Sequence, residues 1–461
     1  MTDENGPYQP TIARLKTRPF ERNFALAKLG VGAGAKIAAH TIGNIFRGNV
    51  SRSDADKKFF AGQAQVLADE LGQLKGSVMK AGQMLALFGD YFLPPEAVEV
   101  LRSLQDDTPP VAWDYVRPQL RAALSAEKLA ELEVEQRPIA AASLGQAHRA
   151  RRKSDGLQLV VKIQYPGVAD AIESDIKTLS RLIIASRLTP KNLDLTPIFA
   201  EVREMLIQEC DYEKEASFTE AFREHFADDE RYAVPRVLRE YSAARVLTTT
   251  FEPGVSVQHA SVRALPQDQR NALGRAFAEL FLEEFFAWRL VQTDPHFGNY
   301  RVRLREGLSP QLVLLDFGAT RRFEPGFVRD YSMIVRGALA GDASMLRAGA
   351  LAIGMIGTDF PQAAFNSFAE MCSSIVEPFN PSMAPAERIN AKGEYCFSGS
   401  DLPMRVSQLG AKSALSLSFK VPPREIVFLH RRLGGVFMAL VSLAAELDLR
   451  DALLKHSLIA A

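Results

Sequence analysis

The chain has 461 residues, 47% of them apolar and 24% charged, with 55 Lys+Arg against 55 Asp+Glu. That length exceeds a single ordinary core, so two or three lobes are expected, and the balanced charge excludes the global electrostatic footprint of a nucleic-acid binder. The three cysteines, Cys210, Cys372 and Cys396, are far apart and lack Cys-x-x-Cys spacing, which argues against a disulfide framework or zinc site and for a reducing compartment.

The chain starts Met-Thr-Asp-Glu-Asn-Gly-Pro, without the basic and apolar regions of a secretory signal or the acid-poor start of an organelle transit peptide. Between Pro10 and Ser53, Arg14, Lys16, Arg18, Arg22, Lys28, Lys36, Arg47 and Arg52 face a single acid, Glu21. Phe20, Phe24, Leu26, Ile37 and Phe46 are interleaved with them. Such an arm can lie on an anionic membrane surface or stay solvated. Within it Gly30-Val-Gly-Ala-Gly34 imitates a dinucleotide fingerprint, but the helix-favouring residues before it supply no strand, so that reading is rejected.

From Gly62 to Phe92, Leu67, Leu71, Leu74, Val78, Ala81, Leu85 and Phe88 recur at helical spacing and make one apolar stripe. Gln73, Gly76, Lys80 and Gln83 fall on the opposite face. Proline pairs at Pro94-Pro95 and Pro109-Pro110 break the pattern. Further on, Leu157, Leu159, Val161 and Ile163 alternate with Gln158, Val160, Lys162 and Gln164, a period-two strand. The preceding Ser154-Asp-Gly156 implies a hairpin with Gln146–Arg152.

Helical stretches are expected at Asp170–Arg187 and Pro197–Phe226, and a second hairpin at Val234–Phe251. After Gly254 the chain reads as mostly helical, apart from Leu290–Thr293, Tyr300–Arg303 and Gln311–Leu315. No window holds the run of about 20 apolar residues that a membrane span needs. Leu433–Ala445, uncharged for 13 residues, reads as a buried helix.

Four segments carry chemistry, in the order a protein-kinase fold requires. Val160-Val-Lys162 puts a lysine on a strand, where it can pair with nucleotide phosphates and a helical glutamate. Alone, such a lysine is usually an exposed cation. Glu209-Cys-Asp211-Tyr-Glu213-Lys-Glu215 offers several acids as partners, and alone would be a solvated helix face. Asp294-Pro-His-Phe-Gly-Asn299 has the Asp-x-x-x-x-Asn spacing of a catalytic loop, whose Asp orients the attacking group and whose Asn binds Mg²⁺. His296 reads as a structural hydrogen-bonding group. Asp316-Phe-Gly318 follows the apolar strand Leu312–Leu315, where an aspartate can hold a phosphate-bridging metal.

Other features depart from ordinary kinases. No Gly-x-Gly-x-x-Gly precedes Lys162; the Ala-rich loop Ile139-Ala-Ala-Ala-Ser-Leu-Gly145 stands in its place, and no Ala-Pro-Glu follows Asp316. With these departures, Lys80-Ala-Gly-Gln83 and the closing His430-Arg-Arg-Leu-Gly-Gly435, the chain resembles the UbiB-type atypical kinases associated with coenzyme Q (ubiquinone) biosynthesis. The resemblance runs from about Gly62 to Gly435.

The resemblance implies an α+β, atypical protein-kinase-like fold, with a small β-rich N-lobe, a larger helical C-lobe and a helical extension carrying Lys-x-Gly-Gln. The corresponding division is an arm at 1–60, the extension at 61–135, the N-lobe at 136–254 and the C-lobe at 255–461. It also implies ATP or ADP and Mg²⁺ as ligands. Ala140, Ala141, Ala142, Ser143, Lys162, Thr250 and Phe251 would bind nucleotide, with Asn299 and Asp316 on the metal. Asp294, Lys162 and Glu215 would be catalytic, with Glu215 the partner of Lys162. Lys80, Gln83, Glu209 and Asp211 would form a gating group, Lys80 pairing with Glu209 or Asp211. The implied partners are anionic membrane lipids and ubiquinone-pathway lipids or enzymes, with room for a homodimer. The implied location is cytoplasmic or peripheral at an inner membrane, mitochondrial in a eukaryotic source. A small-molecule or lipid kinase and a nucleotide-binding scaffold without turnover remain the rival readings.

Overall fold

The computed structural model describes residues 77–89, 110–186, 195–414 and 423–459. The basic arm, its glycine-rich segment and most of the 62–92 stretch lie outside the described residues. The chain forms two compact units. The first runs through Glu220 and takes back Arg236–Phe251; the second holds Ala221–Pro235 and everything from Glu252.

The first unit is built on a four-stranded antiparallel sheet, ordered β1 (Leu132–Ala141), β2 (Gly145–Arg152), β3 (Gln158–Gln164) and β5 (Val246–Thr250). The expected alternation buries Leu159, Val161 and Ile163 completely on β3. Asp155 sets the β2–β3 turn: its carboxylate accepts from Leu157 N–H at 3.1 Å and from the Arg152 guanidinium at 2.6 Å. Gly156 supplies the positive φ of 74°.

The Ala-rich segment corrects the expectation of a loop. Ile139, Ala140 and Ala141 belong to β1, with Ala140 opposite Ala147 and Ala141 opposite Gln146. Only Ala142–Leu144 turn, closed by Ala142 N–H donating to Gly145 O at 2.8 Å. Pro138 cannot donate to the ladder, and the register slips on both sides of it. Gly145 is fixed by close approach, since a Cβ there would stand 2.6 Å from Tyr212 Oη and 2.7 Å from Ile163 O.

Helix α1 (Ser77–Gly89) buries Ala81, Met84 and Leu85 and packs on α2 (Val168–Ser186) and α3 (Thr196–Glu209). Ser77 Oγ donates to the buried Asp175 carboxylate, tying α1 to α2. The single helical stretch expected at Pro197–Phe226 is two helices, α3 and α4 (Tyr212–His225). The break comes at Cys210-Asp211, because Asp211 Oδ1 accepts from Lys214 N–H at 3.0 Å and starts α4 as its cap.

The second expected hairpin forms irregularly, with Leu238 N–H donating to Thr248 O and Thr250 N–H to Arg236 O, both at 2.9 Å. Val246–Thr250 pairs with β3, whereas β4 (Tyr232–Ala233) pairs in parallel with β8 (Gln311–Leu314). Pro235 interrupts the stretch between them, where Val237↔Thr249 and Ala243↔Val246 are isolated bridges.

The second unit carries β4-β8-β7, with β7 at Tyr300–Arg303, and the pair β6-β9 at Leu290–Gln292 and Thr320–Arg322. Around them stand α5 (Gln267–Leu282), α6 (Arg424–Ser442) and the helices between them. Helix α6 buries Val436, Ala439 and Leu440 but leaves Met438 51% exposed, so Leu433–Ala445 is amphipathic instead of wholly buried. Among the described residues no helix is long and apolar enough to cross a membrane.

Candidate active site

In the first unit, Lys162 projects from the middle of β3 opposite Ala147 on β2 and Leu247 on β5. Its Nζ donates to both Glu215 oxygens, at 2.7 and 2.8 Å, and lies 5.0 Å from the Tyr212 ring centroid. Of the acids the sequence offered, Glu215 is the one on the inward face of α4, and its side chain is 3% exposed against 24% for Lys162. A charge-assisted pair this sheltered fixes the ammonium in place.

Lys80 makes a second pair, 2.8 Å from Glu209, with both side chains about one-fifth exposed. Asp211, offered as the other partner, is instead the cap of α4. Gln83 is half-buried on the same helix. Of the nucleotide candidates, Ala140 and Ala142 are exposed, Ala141 half-buried and Ser143 buried. Thr250 and Phe251 close β5: Thr250 Oγ1 accepts from Arg236 N–H at 2.9 Å, and the Phe251 ring lies under the Arg149 guanidinium at 4.5 Å.

In the second unit, strand pairing brings the other three candidates together. Tyr300 pairs with Leu314, and Leu315 N–H donates to Asn299 O at 3.0 Å. Asn299 and Asp316 therefore emerge at the same end of neighbouring strands. Asp316 Oδ1 accepts from Gly318 N–H at 3.0 Å. Phe317 is buried and packs 4.6 Å from the Phe222 ring, which anchors the Asp-Phe-Gly turn.

Asn299 Nδ2 donates to Asp294 O at 3.0 Å and to Asp294 Oδ2 at 3.3 Å. That orientation turns Asn299 Oδ1 away from the loop it braces. An amide oxygen and a carboxylate at one mouth are hard donors of the type Mg²⁺ takes with phosphate oxygens. His296 Nδ1 accepts from Gly298 N–H at 3.0 Å, the structural bond expected of it.

Several residues that hold this loop were not assigned from sequence. Gln292, 4% exposed, donates through Nε2 to Asp294 O at 2.9 Å and Asp316 O at 3.2 Å, clamping the two loops together. Tyr300 Oη, 3.4 Å from Gln292 Oε1, receives Arg432 Nη1 at 2.7 Å. Arg432 Nε in turn meets Glu284 Oε2 at 2.9 Å, both side chains 1% exposed. Burial pushes the Glu284 carboxyl up to about 7, against the opposing pull of Arg432. Gln292 adjoins a motif, so position was a usable signal for it; Glu284 carries none.

Helix α6 meets the loop at Gly435, where a Cβ would stand 2.0 Å from Pro295 Cβ and 2.5 Å from its Cγ. Gly435→Ala is expected to push the Asp294 loop aside, destabilising the chain by about 1–3 kcal/mol and lowering the turnover proposed below by about tenfold. Parallel kinetics and denaturant melts check it; unchanged turnover would show that the loop tolerates displacement.

A two-unit chain with a strand lysine paired to a helical glutamate, and Asp, Asn and Asp on loops of a helical unit, is protein-kinase-like. The family model described as the ABC1 atypical kinase-like domain matches residues 103–348. The chain belongs to this family, the UbiB-type group its motifs resemble.

It is 29% identical over 411 residues to "Atypical kinase COQ8, mitochondrial" of Schizosaccharomyces pombe, covering 88% of this chain and 65% of that protein. To "Atypical kinase coq-8, mitochondrial" of Caenorhabditis elegans it is 33% identical, covering 92% and 55%. To "Atypical kinase COQ8B, mitochondrial" of Rattus norvegicus it is 31% identical, covering 93% and 78%. The chain thus spans a little over half to about two-thirds of the length of the first two relatives. Rv3197 of Mycobacterium tuberculosis, solved with erythromycin, superposes with a TM-score of 0.56 at 24% identity over 83% of this chain and 92% of that one, a likeness of fold.

Proposed function

We propose that the chain is a Mg²⁺- and ATP-dependent atypical kinase or ATPase that supports ubiquinone (coenzyme Q) biosynthesis, acting near membrane lipids and not on proteins. The observation that carries this reading is the convergence of Asp294, Asn299 and Asp316 at one end of paired strands. The kinase names of relatives across nearly the whole chain support it.

In this reading Lys162, held by Glu215, steadies nucleotide phosphates. Asn299 and Asp316 hold Mg²⁺, which when bound neutralises charge on the phosphate oxygens. Asp294 positions the attacking water, or the hydroxyl of a small or lipid acceptor, for in-line attack, and alignment and electrostatics supply most of the rate. The bracing of Asp294 through Asn299 and Gln292 suits that positioning role. Lys80 and Gln83, with Glu209, form the proposed gating group, tied across α1 and α3 by the Lys80–Glu209 pair. The basic stretch between Pro10 and Ser53 is proposed as a contact for anionic lipid, giving a peripheral membrane location, mitochondrial in a eukaryotic source.

The test is Mg²⁺-dependent ATP hydrolysis by the purified chain, with and without anionic liposomes. Hydrolysis that rises with liposomes supports the lipid-coupled reading. A stoichiometric phosphoproduct would make it a kinase of that acceptor, and binding without turnover would make it a scaffold. The absence of both binding and turnover would overturn the reading.

A further inference from the structure

Arg431 and Gly435 stand one helical turn apart on α6 and share a face. Both meet the same short loop. Gly435 abuts Pro295, and Arg431 Nη2 donates to Asp294 Oδ1 at 2.6 Å. Between them Arg432 turns inward to Glu284 and Tyr300, which fixes the rotation of the helix about its axis. Arg431 is therefore delivered to Asp294 by a helix anchored at Arg432 and at Gly435.

Both carboxylate oxygens of Asp294 are then engaged, Oδ1 by Arg431 and Oδ2 by Asn299 Nδ2. The side chains of the ion pair are 29% and 24% exposed, so solvent screens its contribution to stability. Its effect on geometry is larger, because the two donors leave the carboxylate a single orientation relative to Asn299.

We infer that Arg431 is a positioning residue for phosphoryl transfer: its guanidinium sets the orientation of the Asp294 carboxylate, and through it the alignment of the attacking group. This rests on the proposed role of Asp294. The contact uses one guanidinium nitrogen and one carboxylate oxygen, so a lysine can reproduce it, unlike a bidentate fork.

The experiment compares Arg431→Gln, Arg431→Lys and Asp294→Asn in the full chain, measuring kcat and KM for ATP and the melting temperature. The expected result is that Arg431→Gln lowers kcat about tenfold or more, with KM for ATP within about twofold. Arg431→Lys recovers most of the lost kcat, and both variants melt close to the parent. If Arg431→Gln keeps full kcat while Asp294→Asn abolishes it, the inference fails and the role of Asp294 stands. If both Arg431 variants lose kcat in step with a large fall in melting temperature, Arg431 is a packing residue and the inference fails. If Asp294→Asn keeps full activity, the proposed role of Asp294 fails and the inference with it.

Discussion

Asp316→Asn is expected to lower Mg²⁺-dependent ATP turnover by about 10²–10³, with the melting temperature close to the parent's. Asparagine is isosteric and can still accept from Gly318 N–H, the bond that shapes the Asp-Phe-Gly turn. Phe317 stays buried against Phe222, so the anchor of the turn is untouched. What is lost is a negative charge at the mouth it shares with Asn299, where the proposed Mg²⁺ would sit. A paired titration supports this assignment: the variant should need much higher Mg²⁺ for the same rate. A variant with parental turnover at low Mg²⁺ would show that Asp316 holds no catalytic metal.

Arg432→Met should destabilise the second unit by about 3–5 kcal/mol, because it leaves the Glu284 carboxylate buried without its cation. The loss should also depend on pH, and its sign follows from burial. Glu284 sits at about 7 in the folded chain against an ordinary 4.5. A carboxyl raised on folding contributes stability that is complete below its ordinary value and lost as pH rises through the folded one. Removing Arg432 removes a group that holds this value down, so the deficit should widen between about pH 6 and about pH 8.

Urea melts at both pH values read this directly. The double variant Arg432→Met with Glu284→Leu, which removes both charges, should recover much of the loss. An equal deficit at both pH values, with no recovery in the double variant, would mean that packing of the arginine stem and not the buried charge dominates.

Lys162, Asp294, Asn299 and Asp316 were legible in the sequence because each sits in a local pattern with a local cause. Alternating burial marks β3, and an apolar run ending in Asp-Phe-Gly marks the end of β8. Pro295 and Gly298 mark a rigid loop at the spacing a metal-binding Asn requires. The antiparallel β2–β3 hairpin followed from Ser154-Asp-Gly156, since a two-strand turn is a short-range object. The Ala-rich segment was misread as a loop because alanine marks neither strand nor turn, and its pairing with β2 decided the matter. The break between α3 and α4 was missed because Asp211 looked like one more acid on a helix face, when its side chain was a cap.

Spacing by itself left open which acid each lysine takes; the resemblance implied Glu215 for Lys162, and the fold pairs them across 53 residues and gives Lys80 Glu209 of its two candidates. Tertiary structure alone brought Arg431 to Asp294 across 137 residues and Arg432 to Glu284 across 148. No local propensity links residues that far apart. Their pairing follows from how α6 packs beside α5 and the Asp294 loop, with Gly435 admitting Pro295 where any side chain would keep the helix away. The sequence by itself determined which groups can do the chemistry, because residue type and short spacing set what a side chain can donate, accept or bind. The tertiary structure decided which of those groups are held in place, because orientation depends on neighbours that only packing supplies.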